Sequence, residues 1–394
     1  MKRYCILIFF FLFISLSCSL SCGLSKATTT ELENLVNSGI TNKYFPGAQL
    51  IIGTPDKIIL EKNFGKYTYD SDAPDVTSSS IYDLASLTKV IATTSAIMQL
   101  YENGRLNIND NVWLYLPEFA NNGKEDIRIS NLLLHNSGLK AWVPFYKTLT
   151  TRQQVLDEIY NMTPDYKKIG TKFVYSDLNA VLLGLIIEKI SGMSLDEYCR
   201  INIFEPLGMR STTYLPKDDM KKLAVPTEND TYWRNRLLQG EVHDETAAML
   251  NGVSGNAGLF SNADDLYQFM KMMLEKGKYY NPYSRGLKEE KFANADVIGF
   301  FTNKWETAAY NNSRGLGWDT KPEPTSYRAP CGEKFSDNSF GHTGYTGTSV
   351  WADADKNLIV IFLTNRVYPS RDNNGIREIR PEIHNMAVDL LNGN

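Results

Sequence analysis

Apolar positions along this chain follow two different periods. Residues 27–43 place Leu32, Leu35, Val36 and Ile40 at helical spacing. Two strand-like runs come next, Ala48–Ile52 and Ile58–Phe64, separated by a turn at Thr54-Pro55-Asp56. From about residue 81 to 276 the pattern is mostly helical, cut by loops marked with glycine and proline. One strong segment opens at Ser86, with Leu87, Val90, Ile91, Thr94, Ile97, Met98 and Tyr101 on one face and Gly104 as its stop. Another runs from Leu178 through Val181, Leu182, Leu185, Ile186 and Ile190 to Gly192. Strand character returns at Thr348–Ala352 and Leu358–Thr364, around a turn at 353–357, and a helix from about Pro381 to Leu391 closes the chain. Strands at both ends with helices between predict an α/β (α+β) fold. One antiparallel sheet is built from the N- and C-terminal segments and flanked by helices, and a mostly helical subdomain of about residues 100–276 is inserted in it. Residues 278–338 are weakly periodic and rich in aromatics (among them Tyr279, Phe301, Trp305, Tyr310, Trp318 and Tyr327). A long loop in a compact domain is usually functional or mobile. Lining a site for an apolar acyl or alcohol group and packing against the sheet both stay open for these rings.

The candidate chemistry sits at three points of this pattern. In Ser86-Leu87-Thr88-Lys89, residues three apart on a helix share a face, which brings the Lys89 amine to the Ser86 hydroxyl. A serine hydroxyl needs a neighbouring base to become a nucleophile. Lysine acts as one only when neutral, a state that burial or a nearby positive charge favours. Backbone N–H groups of that first turn can hold a developing oxyanion. Tyr175-Ser176-Asp177 stands at the start of the second helix, where a phenol can project into a cleft while Ser176 or Asp177 caps the helix. Gly341-His342-Thr343-Gly344 leads towards a strand, and glycines there mark close backbone approach along an edge that a substrate can follow.

Taken together, these blocks resemble the serine β-lactamase and penicillin-binding superfamily, nearest its class C, D-Ala-D-Ala-peptidase and esterase branch. The likeness runs from about Phe45 to Arg371 and includes Leu133-Leu134-His135-Asn136-Ser137-Gly138-Leu139, Ile203 to Met209 and Gly255 to Ser261. It implies a β-lactamase/transpeptidase-like fold. Ser86 would be the acyl-accepting nucleophile, Lys89 its proton partner and Tyr175 the general base or proton shuttle; whether lysine or tyrosine deprotonates the serine stays open. His342, Thr343, Gly344 and Asp177 would contact substrate, with the amides of Ser86 and Tyr345 as the oxyanion hole. Two departures stand out. Asp177 occupies the place of an asparagine that holds a substrate amide, and an ionised aspartate cannot donate. His342 replaces a lysine, so a fixed positive charge for a substrate carboxylate is no longer assured. Both weaken the case for efficient β-lactam hydrolysis and leave acyl-serine chemistry intact.

Composition narrows the setting. With a net charge of −4 and 22% charged and 43% hydrophobic residues, the chain has no polybasic signature and is not read as a nucleic-acid binder. Lys2 and Arg3 before the apolar run Ile6–Leu16 form a secretory signal pattern, giving residues 1–22 as a signal peptide and 27–394 as the catalytic domain. Cys18 and Cys22 each follow Ser-Leu-Ser, a loose lipoprotein cleavage box. The expectation is an exported protein of the periplasm or envelope surface, attached to the membrane through a lipidated Cys18 or Cys22 or else cleaved and released. A Cys199–Cys331 disulfide is left open. The four histidines (His135, His243, His342, His384) are scattered, so no metal or other cofactor is expected. The predicted activity is acyl hydrolysis of esters, D-amino-acid peptides or, weakly, β-lactams. The alternatives are acyl transfer to a hydrophobic, sterol-like hydroxyl and a penicillin-binding protein that acylates without turnover.

Overall fold

The structure, a computed structural model, describes residues 26–283, 288–305, 314–323 and 329–393. The proposed signal segment and its cysteines, and Tyr310 and Tyr327, lie outside them. Helix α1 covers residues 26–41, and strands β1 (Gly47–Gly53) and β2 (Ile58–Gly65) follow as an antiparallel hairpin. The C-terminal part supplies β3 (Asp319–Thr320), β4 (Ser339–Thr343), β5 (Ser349–Asp353) and β6 (Leu358–Thr364). All six join one sheet in the order β3-β4-β5-β6-β1-β2, with β1 against β6 in the register Ala48↔Thr364 and Ile51↔Ile361.

Alternation of side chains explains why β1 and β6 are buried along their whole length. Ala48, Leu50 and Ile52, with Leu358, Val360 and Phe362, face one way. They pack under Leu32 and Val36 of α1 and Ile379 and Ile383 of the C-terminal helix. Ile51, Ile359, Ile361 and Leu363 face the other way, against the helix Ala263–Leu274, and continue into the larger core of the helical part. Covered on both sides, β6 reads in sequence as an apolar run up to Thr364, and β1 does so apart from Gln49, whose buried amide bonds Thr77 O and Ser80 O. The C-terminal helix spans Ile376–Gly393 and so begins before Pro381, which lies inside it. Residues 278–338 are also not one loop. They contain the hairpin Lys278–Tyr280/Glu289–Lys291 and the helix Ala295–Thr302. Phe301 and Trp318 are buried, Trp318 between Phe269 and Phe340, and Phe300 stacks on Tyr101. Of the described rings, Tyr279, Phe300, Phe301, Trp305 and Trp318 pack in or against the core, whereas Tyr280 and Tyr283 are exposed. Cys199 and Cys331 are both buried and free, in separate cores.

The segment at Ser86 differs from the regular helix its periodicity predicts. Ala85 has a left-handed φ of 47°, Ala85–Leu87 form a 3₁₀ turn, Lys89–Thr94 a wide π-helical stretch, and the α-helix proper, α2, runs only from Ser95 to Glu102. Irregular helix of this kind is common at functional sites. Contacts from the β4–β5 connection hold it in place. Thr346 Oγ1 donates to Asp83 O at 2.7 Å and Thr348 Oγ1 to Leu84 O at 3.0 Å. Gly344 permits that approach, because a Cβ there would sit 2.1 Å from Thr348 Oγ1 and 2.4 Å from Leu84 O. Gly344→Ala is therefore expected to destabilise the fold by about 1–3 kcal/mol through overpacking and to lower activity by moving the Ser86 turn. A thermal melt indistinguishable from wild type would contradict this.

Candidate active site

The tight 3₁₀ turn that precedes Lys89 carries Ser86, and residues three apart eclipse in such a turn. Lys89 Nζ lies 3.0 Å from Ser86 Oγ, 3.0 Å from Asn256 O and 2.7 Å from Asp177 Oδ1. An ammonium has three hydrogens, and here three acceptors meet them. Burial of Lys89 pushes its pKa down, but the Asp177 carboxylate and then Tyr175 outweigh that and hold the amine above its ordinary value. At Lys89 a carboxylate that the sequence places 88 residues away thus outweighs burial. Gly255 makes the third acceptor reachable. A Cβ there would lie 2.0 Å from Ala180 O, so only glycine lets the 255–258 segment rest on the helix carrying Ala180. Thr93 Oγ1 donates to Gly255 O at 2.8 Å, and the Asn256 carbonyl then meets Lys89.

That helix, α3 (Asp177–Ser191), ends at a left-handed Gly192 and begins with the Tyr175-Ser176-Asp177 segment. The segment is pinned from several sides. Ser176 N–H donates to His135 Nδ1 at 3.0 Å, the Ser176 hydroxyl to Lys140 O at 2.6 Å, and Asp177 N–H to Ala141 O at 2.9 Å. The His135 ring lies 4.6 Å from that of Tyr175. Neither Ser176 nor Asp177 caps the helix with its side chain; Asp177 pairs with Lys89 instead. The Tyr175 oxygen is buried and makes no aligned hydrogen bond among the described residues. Lys89 Nζ lies 5.1 Å from the ring centroid. Burial raises the pKa of the phenol more than Lys89 and Ser86 lower it, so the resting side chain is neutral.

On the sheet side, β3 pairs only with Phe340 and Gly341 of β4, which leaves His342 and Thr343 beyond its end. His342 Nδ1 lies 2.8 Å from Thr343 O, which places the ring proton there and leaves Nε2 as a buried acceptor with no partner among the described residues. Burial, helped by Arg314 and Lys89 and opposed by Asp319, pushes His342 down to about 4. Its ring is 5.9 Å from that of Tyr175. Tyr345, 49% exposed, stands between the His243 ring at 5.8 Å and the Arg366 guanidinium at 4.3 Å. Neither the Ser86 nor the Tyr345 amide donates to a protein acceptor among the described residues.

Two cavities of about 320 Å³ each adjoin Ser86, and Tyr175 and Tyr345 line both. The first also holds His342, Thr343, Gly344 and a set of arginines. The second holds Trp142, Asp177, His243, Asp244, Glu245 and Arg371. All the expected site residues therefore meet. Sequence reasoning missed Asn256 as a ligand of Lys89, Asp244, Arg314 and the buried Glu228, His243 and Glu245 with the half-buried Arg371. Asp244 accepts from Ala247 N and Asn256 Nδ2 and is raised by burial, then by Asp177, to about 6. Glu228 is held down to about 2, against burial, by His243 and Arg371. Most are single polar residues with no periodicity to mark them; Glu245 opens a short helix, and Asn256 lies in the glycine-flanked block Gly255 to Ser261, where only its carbonyl is used.

Two expectations follow. In Asp177→Asn, burial acts on Lys89 without its carboxylate, so the alkaline limb of the pH–rate profile is expected to move to lower pH; an unmoved limb would show that Asp177 does not set the lysine charge. His342, depressed to about 4, stays neutral from pH 5 to 8. A break in kcat/KM near pH 6.5 that disappears in His342→Gln would refute that.

A family described as β-lactamase matches residues 32–382. The chain is 34% identical over 355 residues to the N-acetylmuramyl-L-alanine amidase of Bacillus subtilis (strain 168), covering 82% of this chain and 77% of that protein. It is 32% identical over 369 residues to a Salmonella typhi protein named as a D-alanyl-D-alanine carboxypeptidase, covering 85% and 81%. Among solved structures, a class C β-lactamase superposes with a TM-score of 0.70 at 16% identity, covering 93% and 98%. With the fold and the convergence around Ser86, this chain belongs to the β-lactamase family of the serine β-lactamase and penicillin-binding superfamily, and it is a serine hydrolase.

Proposed function

We propose that the protein is an exported acyl-serine hydrolase that cleaves an amide bond in cell-wall-type peptides, turning over simple esters as well and β-lactams weakly. The observation that carries this reading is the Lys89 ammonium, held at once by Ser86 Oγ, Asp177 and Asn256 O. Since its three hydrogens already point at three acceptors, the proton of Ser86 has Tyr175 as its outlet. Ser86 Oγ attacks the substrate carbonyl carbon, and its proton passes to the Tyr175 oxygen as the phenol proton passes to the departing nitrogen. A C–O bond forms and the C–N bond breaks. Water then returns through the same relay: its proton goes to Tyr175, the phenol proton to Ser86 Oγ, and the free acid leaves. A neutral phenol suits this concerted exchange, with the Lys89 charge steadying the partial negative charge on both oxygens. The Ser86 and Tyr345 amides serve the carbonyl oxygen.

The names of the relatives, an amidase and a carboxypeptidase, favour a peptide or amide substrate over a lactam. The signal pattern of residues 1–22 supports action in the periplasm or at the envelope surface, with Cys18 or Cys22 as the anchor. Water is favoured over an apolar alcohol as acceptor, because the described aromatic residues of 278–338 line neither cavity beside Ser86.

Ser86→Ala is expected to lower turnover of a chromogenic short-chain ester by at least about a thousandfold with an unchanged melting temperature; an undiminished rate rejects the reading. Intact-mass measurement with a labelled penicillin is expected to show an adduct on the wild-type chain that decays with time, whereas a permanent adduct would identify a protein that acylates once and stalls.

A further inference from the structure

Asp83 is a carboxylate buried to 2% exposure that takes no part in the proton relay. Arg234, whose charge it feels, is paired with Asp230 at 2.8 Å. The two oxygens of Asp83 are met by backbone amides instead: Ala85 N–H at 2.8 Å on Oδ1 and His243 N–H at 2.6 Å on Oδ2. A buried charge is costly unless it is bonded, so the carboxylate and the two amides hold one another in place.

The Ala85 amide belongs to the Leu84–Ala85 peptide, and that plane is pinned at both edges. Asp83 takes its N–H, and Thr348 Oγ1 donates to its carbonyl, Leu84 O, at 3.0 Å. Leu84 O also accepts from Leu87 N–H at 3.1 Å, which closes the 3₁₀ turn around Ser86. Held this way, Ala85 keeps a left-handed φ of 47°, a strained conformation for alanine. Turning the peptide over would relieve that φ, but it would carry Leu84 O away from both donors and open the turn. On the other side, the His243 amide fixes the loop next to Asp244. Asp244 takes the Asn256 side-chain amide at 3.0 Å, and the Asn256 carbonyl meets Lys89.

We infer that Asp83 is a positioning residue for catalysis: by bonding the Ala85 and His243 amides at once, it holds the strained turn that aims Ser86 and ties that turn to the loop beside the Lys89 ligand Asn256. This rests on the acyl-serine reading. The competing account is that Asp83 only stabilises the fold; it predicts a lower melting temperature with an unchanged kcat per folded molecule.

Asp83→Asn keeps the shape but offers one acceptor and one donor to two N–H groups. Its kcat on a chromogenic ester, per folded molecule, is expected to fall about a hundredfold, the order of a lost oxyanion donor, with KM within about threefold. In Asp83→Asn/Ala85→Gly, glycine takes the left-handed φ freely. About tenfold of the loss is then expected to return, the population that the strain removes from alanine. A kcat for Asp83→Asn within about threefold of wild type overturns the inference, and so does a loss that glycine fails to restore. Should Asp83→Asn not fold, Asp83→Ala with and without Ala85→Gly is read in the same way. Hydrogen exchange of the wild type needs no variant: the Ala85 and His243 amides are expected to exchange at least about a thousandfold more slowly than in an unstructured peptide. Exchange at the unstructured rate overturns the inference. Full activity in Ser86→Ala would sink the acyl-serine reading, and with it the catalytic role of Asp83, even if both amides were protected. Abolished activity there, with Asp83→Asn as fast as wild type, would leave that reading standing and overturn only the role of Asp83.

Discussion

Lys89 ties together three parts of the chain. Its ammonium draws the Ser86 hydroxyl from the turn before it, the Asp177 carboxylate from the start of α3 and the Asn256 carbonyl from a glycine-flanked loop. Lys89 is 3% exposed and Asp177 19%, so their attraction acts with little screening. Removing one partner of such a pair typically costs about 3–5 kcal/mol, because the other charge is left buried. The arrangement also fixes protonation at rest: a charged amine, a neutral phenol and a neutral imidazole. Asp177 has a part of its own in these terms: its carboxylate pairs with Lys89 and favours the charged amine.

The sheet completes the site through close approach. Gly344 has no Cβ to strike Leu84 O, and Thr346 and Thr348 bond the backbone just before Ser86. The Ser86 turn is thereby held against the end of β4, with His342 behind it. The left-handed Ala85 φ is tolerated because neighbours on every side hold it: Ala85 N–H donates to Asp83 Oδ1 at 2.8 Å, and Asp83 Oδ2 takes the His243 N–H at 2.6 Å. Backbone strain and charge placement therefore converge on the same few residues, as expected where a rigid scaffold serves chemistry.

Charge is divided across the cleft. Tyr345, sandwiched between Arg366 and His243, separates an arginine-lined cavity from one with three carboxylates and a tryptophan. On the acidic side much of the charge is spoken for, by Lys89 at Asp177 and by Arg371 at Glu245. On the arginine side Arg314 bonds Asp319, and Arg366 is held by the carbonyls of Tyr345, Arg371 and Asn373.

The sequence alone determined the sheet built from both ends, because runs such as Leu358–Thr364 are apolar on both faces and have no other stable environment. It also determined the Ser86, Lys89, Tyr175 and His342 set, since each sits at a helix start or a glycine-bracketed strand whose local signal is strong. Periodicity misread the helix at Ser86, where tertiary bonds to Asp83 and Leu84 hold 3₁₀ and π geometry in a segment buried along most of its length. It also placed the C-terminal helix too late, taking Pro381 as its first residue when packing against the sheet extends it from Ile376. What only the tertiary structure decided is the charge state. Lys89 is protonated because Asp177 folds onto it, His342 is neutral because the core closes over it, and the cation near it is Arg314. Electrostatic energy depends on distance and burial, and neither is written in the spacing of residues along a chain.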